Sequence, residues 1–206
     1  IARDNQVELQ RAKDRKPLKN FRDIPGSVNG VSFSNDGGHL IVAGAVAEAL
    51  GLDELRFMPA NEQPLKARGH GASAADRTAM LELAIAGAAG FSLERAEVDR
   101  PGPSYTVDTL RVLRAKEPES DFVVLLGTDA AAGLDRWREP AELLKLARVA
   151  VFARPGAEWV GEARIWRSVP VPAIEISATA IRERVRSGRS VRYWVPDAVA
   201  DYIAGH

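Results

Sequence analysis

Asp121-Phe122-Val123-Val124-Leu125-Leu126-Gly127-Thr128-Asp129 is the stretch whose reading decides the fold. The unbroken apolar run reads as a strand buried on both faces, as in a parallel sheet covered by helices. It stops at a glycine, a hydroxyl and a carboxylate, which places small and acidic groups at the carboxyl end of the sheet. In open α/β sheets that edge is where ligands bind.

Working outward, Arg148 to Phe152 forms a second run, ended by Arg154-Pro155-Gly156. Short helical pieces lie between the two runs, around Leu134 to Trp137 and Glu142 to Leu146. Upstream, Glu54 to Met58, stopped by Pro59, and Phe91 to Glu97 read as strands. Helical periods cover His39 to Leu50, ended by Gly51; Arg77 to Ala89, announced by Ser73 and Asp76 and closed at Gly90; and Ser104 to Lys116, with Ser104 as a possible cap. Downstream come Ile174-Glu175-Ile176, a helix from Thr179 to Arg186 stopped by Gly188, and a last helix opened by Pro196-Asp197. Strands alternating with helices define an α/β chain with a parallel sheet flanked by helices and a small C-terminal helical part.

The 206 residues suit a single domain, given about 150 residues per domain as a prior. Lys+Arg and Asp+Glu balance at 28 each, which argues against a protein that clamps nucleic acid through a basic surface. Any phosphate must then be held by a local cluster. With no cysteine, disulfides, thiolate metal sites and a cysteine nucleophile are excluded. The longest apolar stretch, Leu40 to Leu50, contains Glu48 and is too short to span a bilayer. A cytoplasmic protein is expected. The first thirty residues depart from the rest, with seven basic and four acidic side chains and almost no apolar periodicity.

Chemistry-bearing residues gather at helix starts. His39 follows Asp36-Gly37-Gly38, where glycines let backbone amides approach an anion at a helix N-terminus; a histidine merely tolerated after a flexible turn fits the spacing equally well. Ser177, Thr179 and Arg182 surround another helix start and suit a polyphosphate, although a hydroxyl there is more often only a cap. Arg184, Arg186, Arg189 and Arg192 make that region basic, and most such runs are solvated faces. Asp129 is either a ligand of a ribose or a metal-bound water, or the cap of the following turn. Trp137 either stacks on a flat ring or belongs to the core. Tyr105, Thr106 and Asp108 are either ligand contacts or a polar helix entry.

In this order the segments resemble the bacterial nicotinate-nucleotide adenylyltransferases of the nucleotidyltransferase α/β superfamily, over roughly residues 37 to 206. The resemblance is carried by Gly38-His39-Leu40, Pro59 through Lys66, Arg77 with Met80-Leu81, Pro101 through Thr109, Gly127-Thr128-Asp129 with Leu134 and Trp137, and Ile176 through Arg182. It implies a Rossmann-like nucleotidyltransferase fold and transfer of the adenylyl group of ATP to nicotinate mononucleotide, giving deamido-NAD and pyrophosphate with Mg²⁺ present. By the same resemblance, His39 and Arg182 are catalytic. Ser32, Phe33, Gly38, His39, Lys66, Gly127, Asp129, Ser177, Thr179 and Arg182 hold ATP, while Tyr105, Thr106 and Trp137 hold the mononucleotide. It implies no protein-bound metal. The partners are these small molecules, without nucleic acid or membrane, and a second copy of the chain is a candidate partner.

Family members start with an apolar strand that runs into a Gly-Gly-Thr/Ser-Phe-Asp-Pro loop and a His-x-Gly-His pair. Here Asp36 stands where the first His is expected, and a carboxylate repels the phosphate an imidazole would stabilise. Leu65 replaces a His before Lys66. Phe21 to Gly26 mixes charges with a Pro and cannot supply a buried central strand. Residues 1–30 are therefore set apart as an atypical segment, disordered or unlike the family, before a nucleotidyltransferase domain over 31–206. The alternatives are a catalytically impaired nucleotide-binding homologue, or an adenylyltransferase for another acceptor such as nicotinamide mononucleotide.

Overall fold

The computed structural model describes residues 28–32, 40–62, 71–153, 165, 167–170 and 176–206. Its six strands are β1 (Val28–Ser32), β2 (Glu54–Phe57), β3 (Phe91–Leu93), β4 (Asp121–Gly127), β5 (Arg148–Ala153) and β6 (Arg167–Pro170). They form one sheet in the order β3-β2-β1-β4-β5-β6, with every pairing parallel. The helices are α1 (Leu40–Leu50), α2 (Ala74–Ile85), α3 (Thr106–Lys116), α4 (Thr128–Ala132), α5 (Pro140–Leu146), α6 (Ala178–Arg186) and α7 (Asp197–Gly205), with a 3-10 turn at Leu134–Arg136.

The side-chain alternation of β4 explains the two layers. Phe122, Val124 and Leu126 pack with Val107, Leu110 and Leu113 of α3 and Leu143 of α5. Val123 and Leu125 point the other way, onto Val46 and Leu50 of α1 and Ile85 of α2. Burying each such side chain contributes about 1.5–3 kcal/mol, so a strand apolar on both faces is stable only between two helical layers. A third cluster joins Ile181 of α6, Val191, Val195 and Val199 of α7 to Met80 and Ala84 of α2, which fixes the C-terminal helices against α2. No described helix is long and apolar enough to cross a membrane.

Several boundaries differ from the sequence expectations, each for a local reason. β1 begins at Val28, inside the segment set apart as 1–30, and Gly30 pairs with Leu55 on one side and Val123 on the other. Ladders on both edges hold this strand, which needs no apolar run of its own. Phe21 to Gly26 lies outside the described residues. α2 starts at Ala74, not Arg77, because Ser73 and Asp76 form a capping box: Asp76 N donates to Ser73 Oγ at 3.0 Å and Ser73 N to Asp76 Oδ2 at 3.2 Å. The same helix ends at Ile85, short of Ala89. β3 stops at Leu93, not Glu97, where the Glu94 carboxylate folds back to accept from Ala96 N at 2.9 Å.

Ser104 does not cap α3. Tyr105 holds that position without a side-chain bond, and Ser104 Oγ instead accepts from Asn61 N at 3.0 Å. Ile176 packs beside the C-terminal cluster, and Ile174 and Glu175 lie outside the described residues. β6 went unforeseen because Arg167-Ser168-Val169-Pro170 is a short, polar edge strand with no apolar run.

Candidate active site

The chain leaves β1 toward β2 on one side, and leaves β4 toward β5 on the other, so the strand order reverses between these two neighbours. Their carboxyl ends, at Ser32 and Gly127, therefore open a crevice at the topological switch point. Gly127 sits close to Phe152 of β5: a Cβ there would stand 3.3 Å from Phe152 Cε2. A side chain would have to displace that ring.

After Gly127 the chain turns directly into α4. Gly127 is its N-cap residue and makes no side-chain cap bond, so Asp129 is not the cap but an exposed residue of the first turn. Its carboxylate faces solvent at the strand end.

α6 reaches the same edge through α2. Because α2 follows β2, its start at Gly71-Ala72-Ser73 lies at the carboxyl end of the sheet, and a Cβ on Gly71 would meet Arg182 Cδ at 2.9 Å. The Arg182 side chain thus rests on bare backbone. Tyr202 of α7 adds a second tie, donating to Asp76 Oδ1 at 3.0 Å. Bonds from Ser73 and Tyr202 hold the Asp76 carboxyl below the usual aspartate range.

At the start of α6, Ser177 is the N-cap and its Oγ accepts from Ala180 N at 3.1 Å, while Arg182 Nη2 donates to Thr179 Oγ1 at 3.1 Å. Both hydroxyl oxygens are used as acceptors, which leaves their protons free to be donated outward. Ser177, Thr179 and Arg182 are all exposed. Capping and ligand donation are thus compatible at this site.

The rest of the basic run is spent locally. Arg184 stacks 4.5 Å from the Trp194 ring centroid and donates to Ser190 O at 2.8 Å. Arg186 pairs with Glu183, and Arg192 with Asp197 and Asp201. This is a solvated, internally paired face.

Tyr105 and Trp137, 32 residues apart in sequence, are both partly buried against the cluster that includes Leu110 and Leu134. Arg138, next to Trp137 in the chain, places its guanidinium 4.7 Å from the centroid of the Tyr105 ring and Nη1 3.4 Å from Asp108 Oδ2. Glu139, in the left-handed region at φ 48°, takes Arg111 Nη2 at 2.5 Å. These ties anchor the Trp137 segment to the first turns of α3. Thr106 opens that helix and is half-buried.

Of the residues expected to act, the described part of the chain brings Gly127, Asp129, Ser177, Thr179 and Arg182 to one edge of the sheet, with Tyr105, Thr106 and Trp137 beside the β4 end. Ser32 ends β1. Phe33, Gly38, His39 and Lys66, and also Asp36, Leu65 and His70, lie outside the described residues. Sequence reasoning gave no role to Gly71, Asn61, Glu97, Thr109 and Arg138, although Asn61 and Thr109 lie inside stretches that carry the family resemblance. Each makes its contact with another segment of the chain, which no local pattern announces.

Fold and site define the class: an open parallel α/β sheet with a crevice at its switch point, where such sheets bind their ligands. The chain matches the cytidylyltransferase-like family model over residues 37–184. It is 43% identical over 178 residues to the "Probable nicotinate-nucleotide adenylyltransferase" of Roseiflexus sp. (strain RS-1), covering 82% of this chain and 89% of that protein. It is 42% identical over 178 residues to the protein of the same name from Thermomicrobium roseum, covering 82% and 83%. A solved Plasmodium falciparum nicotinic acid mononucleotide adenylyltransferase complexed with NaAD superposes with a TM-score of 0.70 at 14% identity, covering 87% of this chain and 95% of that one; this likeness speaks for the fold. The chain belongs to the nicotinate-nucleotide adenylyltransferase family within the cytidylyltransferase-like proteins.

Proposed function

We propose that this chain transfers the adenylyl group of ATP to nicotinate mononucleotide in the cytoplasm, as a step of NAD biosynthesis. The observation that carries the proposal is the 43% identity with a relative of that name over most of both chains. The layout of the site supports it, with phosphate-binding groups on one side of the β4 end and an aromatic, polar pair on the other.

The phosphate of the mononucleotide is already ionised near neutral pH, so it needs no strong protein base. One of its oxygens attacks the α-phosphorus of ATP as the bond to the β-phosphate breaks and pyrophosphate leaves. Catalysis rests on positioning and charge stabilisation. Arg182 offers a guanidinium fork to the ATP phosphates, beside the hydroxyls of Ser177 and Thr179 at the positive end of α6. His39 and Lys66 add cations by family resemblance, with Ser32, Phe33, Gly38 and Gly127 lining the nucleotide. Asp129 faces the ribose.

Mg²⁺ fits this donor set, because it keeps several waters and is held through one or two carboxylates and the substrate phosphates. The ion would be held by the triphosphate and its waters and would offset charge on the phosphates, since the described residues contain no group of three or more His, Asp or Glu side chains placed to hold a metal. Trp137 stacks on the pyridine ring, and Tyr105 and Thr106 meet the nicotinate carboxylate, favouring the acid over the amide.

A pyrophosphate-release assay with ATP and Mg²⁺, comparing nicotinate and nicotinamide mononucleotides, tests the proposal. Release with the acid exceeding that with the amide is expected; no release with either overturns it. A second reading, a homologue that binds ATP without turning it over, is favoured by Asp36 at the place of the first His. ATP binding without pyrophosphate release would support that one.

A further inference from the structure

We propose that Glu97 is a positioning residue of the acceptor site, holding the backbone at Tyr105 and Thr106 in place through Thr109. The inference rests on the assignment of Tyr105 and Thr106 to nicotinate mononucleotide.

Glu97 is only 2% exposed, although a carboxylate is among the side chains least often buried. It lies on the segment between β3 and α3, not on the crevice wall, and the chemistry described above makes no use of it. Thr109, itself fully buried on α3, donates from Oγ1 to Glu97 Oε1 at 2.9 Å. Burial pushes the Glu97 carboxyl above its ordinary range, with the Thr109 and Ser104 hydroxyls and the Arg100 charge acting in the opposite direction. Ser104 Oγ accepts from Asn61 N at 3.0 Å.

Thr109 lies in the first turns of α3 just after Tyr105 and Thr106, so the buried carboxylate ties that end of the helix to the segment before it. The approach to that helix end is tied down as well. Asn61 Nδ2 donates to Arg100 O at 3.2 Å, and Ser104 N donates to Glu62 O at 2.8 Å. Thr109 Oγ1 also lies 3.4 Å from Tyr105 O, so the hydroxyl that reaches Glu97 touches the residue being positioned.

A carboxylate suits this role better than an amide. Either of its oxygens can accept from the Thr109 hydroxyl, whereas a glutamine can aim an N–H₂ at it. Buried polar groups with unmatched partners force local rearrangement, and a small displacement of substrate-binding backbone lowers affinity steeply.

The test uses Glu97→Gln, Thr109→Val and Thr109→Ser in the full chain, with steady-state kinetics for each substrate and hydrogen exchange over residues 100–106 and over β4. Glu97→Gln and Thr109→Val are expected to raise KM for nicotinate mononucleotide by about tenfold or more, with KM for ATP unchanged and faster exchange confined to 100–106. Thr109→Ser, which keeps the hydroxyl, restores both. An unchanged acceptor KM with unchanged exchange at 100–106 overturns the proposal. So does a parallel rise of both KM values with faster exchange in β4, since that marks a residue that merely holds the fold. If Glu97→Gln fails to fold, the Thr109 pair decides. If the wild-type chain does not turn over nicotinate mononucleotide, the assigned activity fails, and the exchange contrast still judges Glu97.

Discussion

Gly71→Ala is the sharpest perturbation the structure offers, because it adds one methyl group at a residue that carries no chemistry. That methyl would stand 2.9 Å from Arg182 Cδ and 3.9 Å from its Cγ and Nε, closer than a carbon contact permits. Arg182 is exposed, so its flexible chain can swing away with little cost to folding, within about 0.5 kcal/mol for a surface change of this kind. The swing removes the guanidinium from its place beside Thr179 Oγ1, now 3.1 Å away. A hydrogen bond to a charged group contributes about 1.5–3 kcal/mol, which converts to roughly 10- to 150-fold in kcat/KM for ATP at about 1.4 kcal/mol per factor of ten.

The assay is pyrophosphate release with varied ATP at saturating acceptor, alongside a thermal melt. The expected outcome is an impaired ATP parameter, an unchanged acceptor KM and an unchanged Tm. Combined with Arg182→Ala, the Gly71 change should add nothing further, because both remove the same group. Wild-type ATP kinetics in Gly71→Ala would refute the reasoning, and so would additive losses in the double variant.

Other outcomes follow from the same geometry. Trp137→Ala should raise KM for the mononucleotide by the loss of about 1–3 kcal/mol of stacking while leaving KM for ATP alone, as read from the two substrate titrations. Leu110→Ala, at 0% exposure between α3 and β4, should cost about 2–5 kcal/mol in denaturant unfolding. The Asp76 carboxyl lies below its ordinary value through Ser73 and Tyr202. A lowered acid pKa stabilises the fold at pH above the unfolded value, and that contribution is lost as pH falls through the folded one. Tyr202→Phe should therefore lower Tm at neutral pH, with the two melting curves converging on acidification below the ordinary aspartate value of 3.8.

Legibility in the sequence followed the range of the physics involved. The run from Phe122 to Leu126 could be read at sight because burial on both faces is written into consecutive side chains. The capping box of Ser73 and Asp76 was visible as residue types, but its register was not: Asp76 belongs inside the helix it announces. β1 was obscured because Val28-Asn29-Gly30-Val31-Ser32 draws its stability from β2 and β4, which lie far away in sequence. At the site, Ser177, Thr179 and Arg182 were recognisable as a helix start rich in donors. Nothing in Gly71 or Glu97 could be seen without the partners the fold brings to them.

The sequence by itself determined the alternation of strands and helices, the parallel sheet and the family, because periodicity, helix caps and short motifs are set by neighbouring residues. Only the tertiary structure decided the strand order that opens the crevice between β1 and β4 and the seating of Arg182 on Gly71. It also decided the seating of Arg138 over the Tyr105 ring and the burial of Glu97 against Thr109. These depend on contacts between segments distant along the chain, whose pairing no local pattern encodes.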